Sequence, residues 1–513
     1  MSLIAVITAS IPWLWTQVSL CWNSLPTLAI FLIVFALLLH CWKRKRWSRC
    51  PPGPAPFPFI GNVLLFDRKN PHGCIQHWGA KFGPAVLLQA GWRNIIILNG
   101  FKMTKEALGQ NAENFIDRPP CSLLKVVGHG KNCQGVVMAK YKDGWKEMRR
   151  FCVSTLKNFG MGKKSLEKRT SEEAGYLCSE FKSTEGSPID PHDIIFRAVG
   201  NIICSLTFGD RFEYTDETFL RLMHLVEAIM KGLTIIMPQI LSGVSWLSYL
   251  PGPHRKVQKD FDKFSIMMQD FVNKHKKTRD PTGPRDFIDA FLDKIEKDQG
   301  NPESCFREPN VRCIIFDLFV AGTETTASTI LWGLLYLVLH PEVQKRVQEE
   351  IDTVIGKVKS PTMEDQPNMT YTSAVIHEIQ RCADIAPVVF PYYTTKDTEV
   401  GNFVIPKDTT VFNHLSAALK DETMWEKPHE FYPEHFLDAN GQFVKREAFL
   451  PFSAGRHACP GEQLAKMELF IFITSLLQHF SFCIPENCPR PKEERVYALT
   501  VSPSAFQICT IPR

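Results

Sequence analysis

From residue 1 to residue 42 the chain has no Asp, Glu, Lys or Arg. A stretch of that length without charge is not the surface of an ordinary globular domain. Two apolar segments fill it, Leu3 to Leu20 and Leu25 to Trp42. The second is about long enough to span a bilayer, and Lys43-Arg44-Lys45-Arg46 closes it. A basic cluster at one end of a span stays on the cytosolic side. A cleaved signal peptide is the rival reading, but the positive segment it needs ahead of its apolar run is missing. Whether the first segment also crosses is left open, because Pro12, Trp13, Trp15 and Trp22 suit an interfacial or re-entrant piece equally well.

Other absences narrow the rest of the chain. Its 16 cysteines include no C-x-x-C, and no paired histidine spacing accompanies them, which speaks against a zinc module. Thiols scattered in this way fit a reduced, cytosol-facing protein. The 59 basic and 54 acidic residues leave a net charge of +5, too mild to suggest a nucleic-acid partner. No Gly/Ser-rich or charged linker follows residue 60, so one large, mainly helical domain is expected where length alone would suggest about three. A hydrophobic content of 44% with 36 Phe is enough for its core. No G-x-G-x-x-G follows a strand and opens a helix, so electrons from a dinucleotide would need a separate protein.

Cys50-Pro51-Pro52-Gly53-Pro54-Ala55-Pro56-Phe57-Pro58 makes a stiff, extended spacer. Val86 to Gln89 and Ile95 to Leu98 read as a β-hairpin. Phe115 to Gly135, with Pro119, Pro120, Gly128 and Gly130, reads as loop. Trp145 and Arg149 are four apart on one helix face, where two donors can hold a carboxylate. Lys140, Lys142, Lys146, Arg150, Lys157, Lys163 and Lys164 make that neighbourhood basic. Residues 190 to 300 read as several helices broken at Met237-Pro238 and at Leu250 to Pro253, with Phe219 to Met237 apolar enough to roof a greasy pocket.

Between Pro309 and Pro341 there is no proline, room for about 46 Å of helix. Asp317 and Glu324 argue that it is a core helix and not a membrane span. Asp317, Ala321, Glu324 and Thr325 fall at i, i+4, i+7 and i+8, on one face. An acid beside an alcohol suits proton delivery, although a threonine there can also bond back to the preceding turn. Asp317 can meet a cationic substrate or tie down a loop. Further on, Glu378 and Arg381 can pair at i, i+3. Pro387 to Pro391 reads as a strand edge, and Lys396 to Ile405 as a small hairpin around Gly401-Asn402.

The most specific stretch is Phe452-Ser453-Ala454-Gly455-Arg456-His457-Ala458-Cys459-Pro460-Gly461, followed by an apolar run from Leu464 to Leu477. It reads as a loop ending where a helix begins, with Cys459 near the positive end of the dipole. A thiolate is favoured there, and a thiolate is the form that binds metal.

This stretch resembles the heme-thiolate signature of the cytochrome P-450 superfamily. Glu462 to Phe470 is similar to family 2, closest to its D subfamily. Five elements occur in the family's order: proline hinge, W-x-x-x-R, acid–alcohol helix, E-x-x-R and cysteine loop. The resemblance implies a mainly α fold with a small β region. It divides the chain into a membrane anchor (1–47), a hinge (48–60) and a catalytic domain (61–513). It makes Cys459 the axial ligand of heme b, with Trp145, Arg149, Arg456 and His457 as propionate holders. It makes Thr325 the oxygen-activating alcohol and Glu324 its acidic partner, and it lays the 115–135 loop, Asp317 and Ala321 along the substrate pocket. Glu378, Arg381 and His435, within Pro433-Glu434-His435-Phe436, become a buried structural network.

The implied activity inserts one oxygen atom of O2 into a xenobiotic, a fatty acid such as arachidonate, or a steroid. Electrons would come from NADPH through a flavoprotein reductase docked on the basic face, with cytochrome b5 as an accessory donor, at the endoplasmic reticulum membrane facing the cytosol. Two departures stand out. The family usually has Arg where this chain has His457, which predicts a pH-sensitive hold on heme. Relatives that favour basic amines carry a glutamate that aligns near Gly232-Leu233, where no acid occurs. A heme-thiolate isomerase or dehydratase and a non-catalytic heme sensor are the alternatives.

Overall fold

The structure is a computed structural model that describes the chain apart from residues 1–25, 39–48, 58–59, 68–69, 92, 122–134, 162–163, 234–240, 243–247, 281 and 389. The first apolar segment, the Lys43–Arg46 cluster, most of the 115–135 loop and the Met237-Pro238 break therefore lie outside the described residues. Apolar helix α1 (Pro26–Leu38) keeps Leu28, Ile30, Phe31 and Leu38 exposed.

In chain order the principal helices after it are α2 (Pro71–Phe82), α3 (Asp143–Asn158), α4 (Lys164–Ser183), α5 (His192–Thr207), α6 (Glu217–Gly232), α7 (Pro253–Thr278), α8 (Phe287–Lys297), α9 (Glu308–Leu339), α10 (Pro341–Val354), α11 (Thr370–Ala383) and α12 (Glu462–His479). Local chemistry sets several starts. Asn70 caps α2 by accepting from Gly73 N at 2.8 Å, with Pro71 in the first turn, and Asp216 caps α6 by accepting from Phe219 N at 2.9 Å.

The strands are few and short. The expected hairpin is β1 (Ala85–Ala90) and β2 (Arg93–Asn99), turning at Gly91 with φ 58°. They join β3 (Tyr392–Tyr393) and β6 (Thr410–His414) in a sheet ordered β1-β2-β6-β3, with β2 and β6 parallel. Strands β4 (Thr398–Val400) and β5 (Phe403–Ile405) form the second expected hairpin. The period-2 alternation sorts the sheet's side chains. Val86, Leu88, Ile95, Ile97 and Phe412 pack on α2, and Ala85, Leu87, Ile96, Leu98 and Val411 pack on Met103, Ala107 and Phe115. Near the C-terminus, β7 (Phe480–Cys483) pairs with β10 (Cys509–Pro512), and β8 (Arg495–Tyr497) with β9 (Val501–Pro503).

The core is built around α9. Its second half is buried on every side from Thr326 to Leu339, against α5, α11, α12 and β9. That is how an apolar 32-residue helix serves as the spine of the domain and not as a membrane span. The helix is not regular. Val320–Glu324 forms a π turn, and a π turn inserts a residue and so rotates the next stretch of helix. Twelve described cysteines are free thiols. Cys313 on α9 is disulfide-bonded, a departure from the expectation of reduced thiols.

Candidate active site

Cys459 sits where the sequence places it, in a loop two residues before the N-cap of α12, Gly461. The loop is held in a tight form. Ser453 and Gly455 have φ of 61° and 77°, and a Cβ on Gly455 would stand 2.6 Å from the carbonyl oxygen of Leu108. Cys459 N donates to Phe452 O at 3.0 Å. The backbone N–H groups of Gly461 and Glu462 and the charge of Arg149 favour the thiolate, yet burial outweighs them and pushes the thiol above its ordinary value. The protein's own groups thus leave Cys459 short of the thiolate expected from the helix dipole, and a metal ion bound by the sulfur would supply the missing positive charge. Cys459 as a residue is exposed even so.

Four side chains stand around this loop. Trp145 is buried on α3 and donates from Nε1 to Val136 O at 2.9 Å. Arg149 lies 5.5 Å over the Trp145 ring and donates from Nη2 to Ala458 O at 2.6 Å. His457 lies 4.7 Å from the Trp145 ring, tilted 50° to it, and donates from Nε2 to Ile116 O at 2.6 Å. Burial, with Arg118 and Arg149 nearby, holds the His457 pKa down at about 3. The ring is therefore neutral, and its second nitrogen is an acceptor that cannot donate to a carboxylate. His457 is thus engaged by Ile116 O and packed against Trp145 in this structure. Arg456 turns outward to an ion pair with Glu113 in which both side chains are more than half exposed.

The residue that sequence reasoning missed is Arg118. It is 5% exposed, donates from Nε to Val137 O at 3.1 Å and from Nη1 to Phe390 O at 3.0 Å and Pro391 O at 2.9 Å, and lies 5.0 Å over Tyr392. Desolvation lowers it only to about 10, so it stays charged. Its Nη2 makes no hydrogen bond to the described residues. Arg118 is a fixed cation close enough to His457 to lower its pKa. Its signal was an arginine between Ile116 and two prolines, hidden inside a segment read only as loop.

On α9 the expected single face does not hold. Asp317 accepts from Val136 N at 2.6 Å and Val137 N at 3.1 Å, so it ties down a loop. The π turn then separates the acid from the alcohol. Thr325 Oγ1 donates back to Ala321 O at 2.5 Å, the local bond that competes with an outward role. Glu324 turns toward β9 and accepts from Thr500 Oγ1 at 3.3 Å and Ser328 Oγ at 3.5 Å. Burial raises its pKa, while the largest opposing influence is His192 on α5. Ala321 is exposed. Thr325 and Thr329 share a cleft with Phe452, Ala465 and Leu469.

A second acid was also missed. Glu468, in the apolar run of α12, is 1% exposed, and neither carboxylate oxygen has a well-formed hydrogen bond among the described residues. Burial pushes its pKa up to about 8, with the Thr326 hydroxyl the one group favouring its charge.

Behind the site, Arg381 and Glu378 are fully buried and meet in a bidentate pair, Nε to Oε2 at 2.8 Å and Nη2 to Oε1 at 2.7 Å. Arg381 also donates to Leu419 O, Pro428 O and Glu430 O. His435 contacts Glu378 Oε1 at 3.1 Å, and Lys427 N donates to its Nε2 at 3.1 Å. Nε2 must then be the acceptor, so the proton sits on Nδ1 and points at Glu378.

These residues fit an iron porphyrin. A thiol receives two backbone N–H groups, a glycine lets the loop lie close against Leu108, and a cleft lined by α9, α12 and Phe452 of the cysteine loop lies nearby. Charged Arg118 and Arg149 stand beside it, and the Ser453 hydroxyl, buried with no partner among the described residues, adds a donor. Fold and site define a heme-thiolate monooxygenase, and the chain belongs to the family described as Cytochrome P450, whose model matches residues 51–510. It is 47% identical over 494 residues to cytochrome P450 2D14 of Bos taurus, covering 96% of this chain and 99% of the relative. Likeness of 48% to cytochrome P450 2D6 of Homo sapiens and 47% to cytochrome P450 2D3 of Rattus norvegicus, over the same coverage, puts it in family 2, with the D subfamily.

Proposed function

We propose that this chain is a membrane-anchored monooxygenase that hydroxylates, epoxidises or dealkylates lipophilic organic molecules. Xenobiotics, fatty acids such as arachidonate, and steroids are the candidate classes. Electrons come from NADPH through a flavoprotein reductase, with cytochrome b5 as an accessory donor. The enzyme sits at the endoplasmic reticulum membrane with its catalytic domain toward the cytosol, which α1 and the basic cluster after it support.

The observation that carries the reading is the cysteine loop, in which Cys459 precedes the start of α12 and Phe452 faces Thr325 and Thr329 of α9 across a cleft. Heme bound there supplies oxygen activation, with the cysteine ligand favouring O–O cleavage. The chain's own residues do the rest. Arg118 and Arg149 hold carboxylates by charge and fork geometry. Trp145 and His457 fix the rim by packing. Thr325 positions a proton donor at the cleft wall, and Glu324, buried and raised, stores a proton behind it.

Two features favour neutral substrates over cationic amines. No acid occurs at Gly232 or Leu233, and Asp317 is engaged by the backbone of Val136 and Val137. The exposed Lys140, Lys142, Arg150 and Lys157 are the proposed face for an acidic redox partner.

Reconstitution with reductase and NADPH, followed by a screen of lipophilic substrates, tests the reading. Oxygenated product with NADPH consumption is expected. Rearranged or dehydrated product without NADPH would make it an isomerase or dehydratase. Heme binding with no turnover would make it a sensor.

A further inference from the structure

At the C-terminal end of α11 several polar side chains from separate elements meet in the interior. Asp384 closes the helix in the left-handed region, with φ 46°, and is 3% exposed. Its Oδ2 accepts from Lys420 Nζ at 3.0 Å, while Oδ1 has no hydrogen-bond partner among the described residues. Gln380, one turn earlier and 7% exposed, has its Oε1 in the same condition. His72, in the first turn of α2, is 5% exposed, and neither ring nitrogen has a partner among the described residues. Its ring lies 5.1 Å from that of Tyr497. Asp384, Arg495, Lys420 and His414 complete its charged surroundings. Arg495 is occupied by Ala383 O at 2.8 Å and Cys382 O at 2.5 Å, and His414 by Asn99 Oδ1 at 2.9 Å.

The unmet atoms have a definite chemistry. Asp384 Oδ1 and Gln380 Oε1 are acceptors, and a neutral His72 brings one donor and one acceptor. Burial holds His72 neutral, with its pKa down at about 4. A set rich in acceptors does not attract an anion, and Lys420 and Arg495 already balance the one carboxylate. Water, which both donates and accepts, is the ligand that satisfies all four atoms. The position is connected at both ends. Gln380 and Asp384 line the same cleft as Thr325, Thr329 and Phe452, and the Lys420 side chain is 22% exposed.

We propose that Gln380, Asp384, Lys420 and His72 bind a chain of water molecules that joins the catalytic cleft to solvent beside Lys420. A monooxygenase makes one water in each turnover, so the cleft needs an outlet. The proposal rests on the reading of that cleft as catalytic only for what the water serves.

Radiolytic hydroxyl-radical footprinting of the full-length, heme-loaded enzyme tests it, because bound water labels the side chains it touches even where they are buried. His72 should be oxidised several-fold faster than Phe470, a fully buried residue of α12. Rapid mixing with oxygen-18 water before the pulse should place the heavy isotope in that product. Labelling at the Phe470 level, or labelling without the isotope, would overturn the conduit. A second measurement has opposite signs for the two cases. His72→Phe lowers the melting midpoint if it displaces bonded water, and raises it if the imidazole is dry and unsatisfied. Neither readout uses product formation, so a failed monooxygenase assay and a failed conduit are told apart.

Discussion

Arg149 donates from Nη2 to the carbonyl of Ala458 at 2.6 Å, so a side chain of α3 holds the residue immediately before the iron-binding cysteine. The same guanidinium stacks on Trp145, an arrangement that a lysine cannot reproduce. A hydrogen bond from a charged group contributes about 1.5–3 kcal/mol. Arg149→Lys should therefore weaken heme retention by about tenfold or more, read as the heme-to-protein ratio after dialysis against apomyoglobin. Full retention in the variant would remove Arg149 from this role.

His457 makes a prediction about acid. Its ordinary pKa is 6.5 and burial takes it to about 3 in the folded chain. Above pH 6.5 both the folded and the unfolded imidazole are neutral, so the difference has no effect on stability. As pH falls below 6.5 the unfolded chain takes up a proton that the folded chain refuses, and stability drops. His457→Gln, which keeps an N–H for Ile116 O, should flatten this acid limb of the melting curve while leaving the midpoint at pH 8 nearly unchanged. An acid limb identical to the parent's would show that other groups dominate it.

The Glu378–Arg381–His435 network separates its members by chemistry. Arg381→Ala leaves a buried carboxylate unpaired, which costs about 3–5 kcal/mol, and should abolish heme incorporation. His435 donates to Glu378 and accepts from Lys427 N. Glutamine can do both, leucine neither. His435→Gln should retain most of the folded, heme-loaded yield and His435→Leu should lose it, as measured by absorbance of the purified proteins. Equal yields from the two variants would mean that shape, not hydrogen bonding, is what His435 supplies.

What could be read from the sequence divides along physical lines. Elements fixed by local pattern were legible. The two hairpins announced themselves by alternation and a glycine turn, and the cysteine loop by its small residues ahead of an apolar helix. Residues whose role depends on a distant partner were not. Arg118 is defined by carbonyls of Phe390 and Pro391, more than 250 positions away. The departure at His457 could be seen, but its neutrality could not, since it arises from burial beside Arg118. Helical periodicity assumed a regular α9 and so placed Asp317 and Glu324 on one face, which the π turn at Val320–Glu324 prevents. No residue pattern distinguished that turn.

Glu468 reverses the pH logic of His457. Its ordinary pKa is 4.5 and burial raises it to about 8. Below pH 4.5 the acid is neutral in both states and makes no difference to stability. Between pH 4.5 and 8 the unfolded chain releases the proton while the folded chain keeps it, so stability falls as pH rises. A tenfold change in a proton-binding equilibrium corresponds to about 1.4 kcal/mol. Glu468→Gln should be more stable than the parent by a few kcal/mol at pH 8 and equal to it near pH 4. A variant with the parent's pH profile would mean that Glu468 ionises freely.

Thr325 and Glu324 point to different surroundings, and their substitutions should fail differently. The Thr325 hydroxyl is bonded to Ala321 O on the cleft side of α9. Removing it takes away one local bond whose net contribution to stability is about 1 kcal/mol, so Thr325→Ala should melt close to the parent. It should also uncouple NADPH use from product, with peroxide making up the difference. Glu324 is buried behind the π turn and bonded to Thr500. Glu324→Gln keeps the hydrogen bonds but cannot hand on a proton, so it should slow turnover and shift its pH dependence with less peroxide than Thr325→Ala. Unchanged coupling in Thr325→Ala would take the hydroxyl out of oxygen chemistry and leave it as a back-bond within α9. Matching peroxide yields from both variants would mean that acid and alcohol act at one point, in spite of the faces on which they stand.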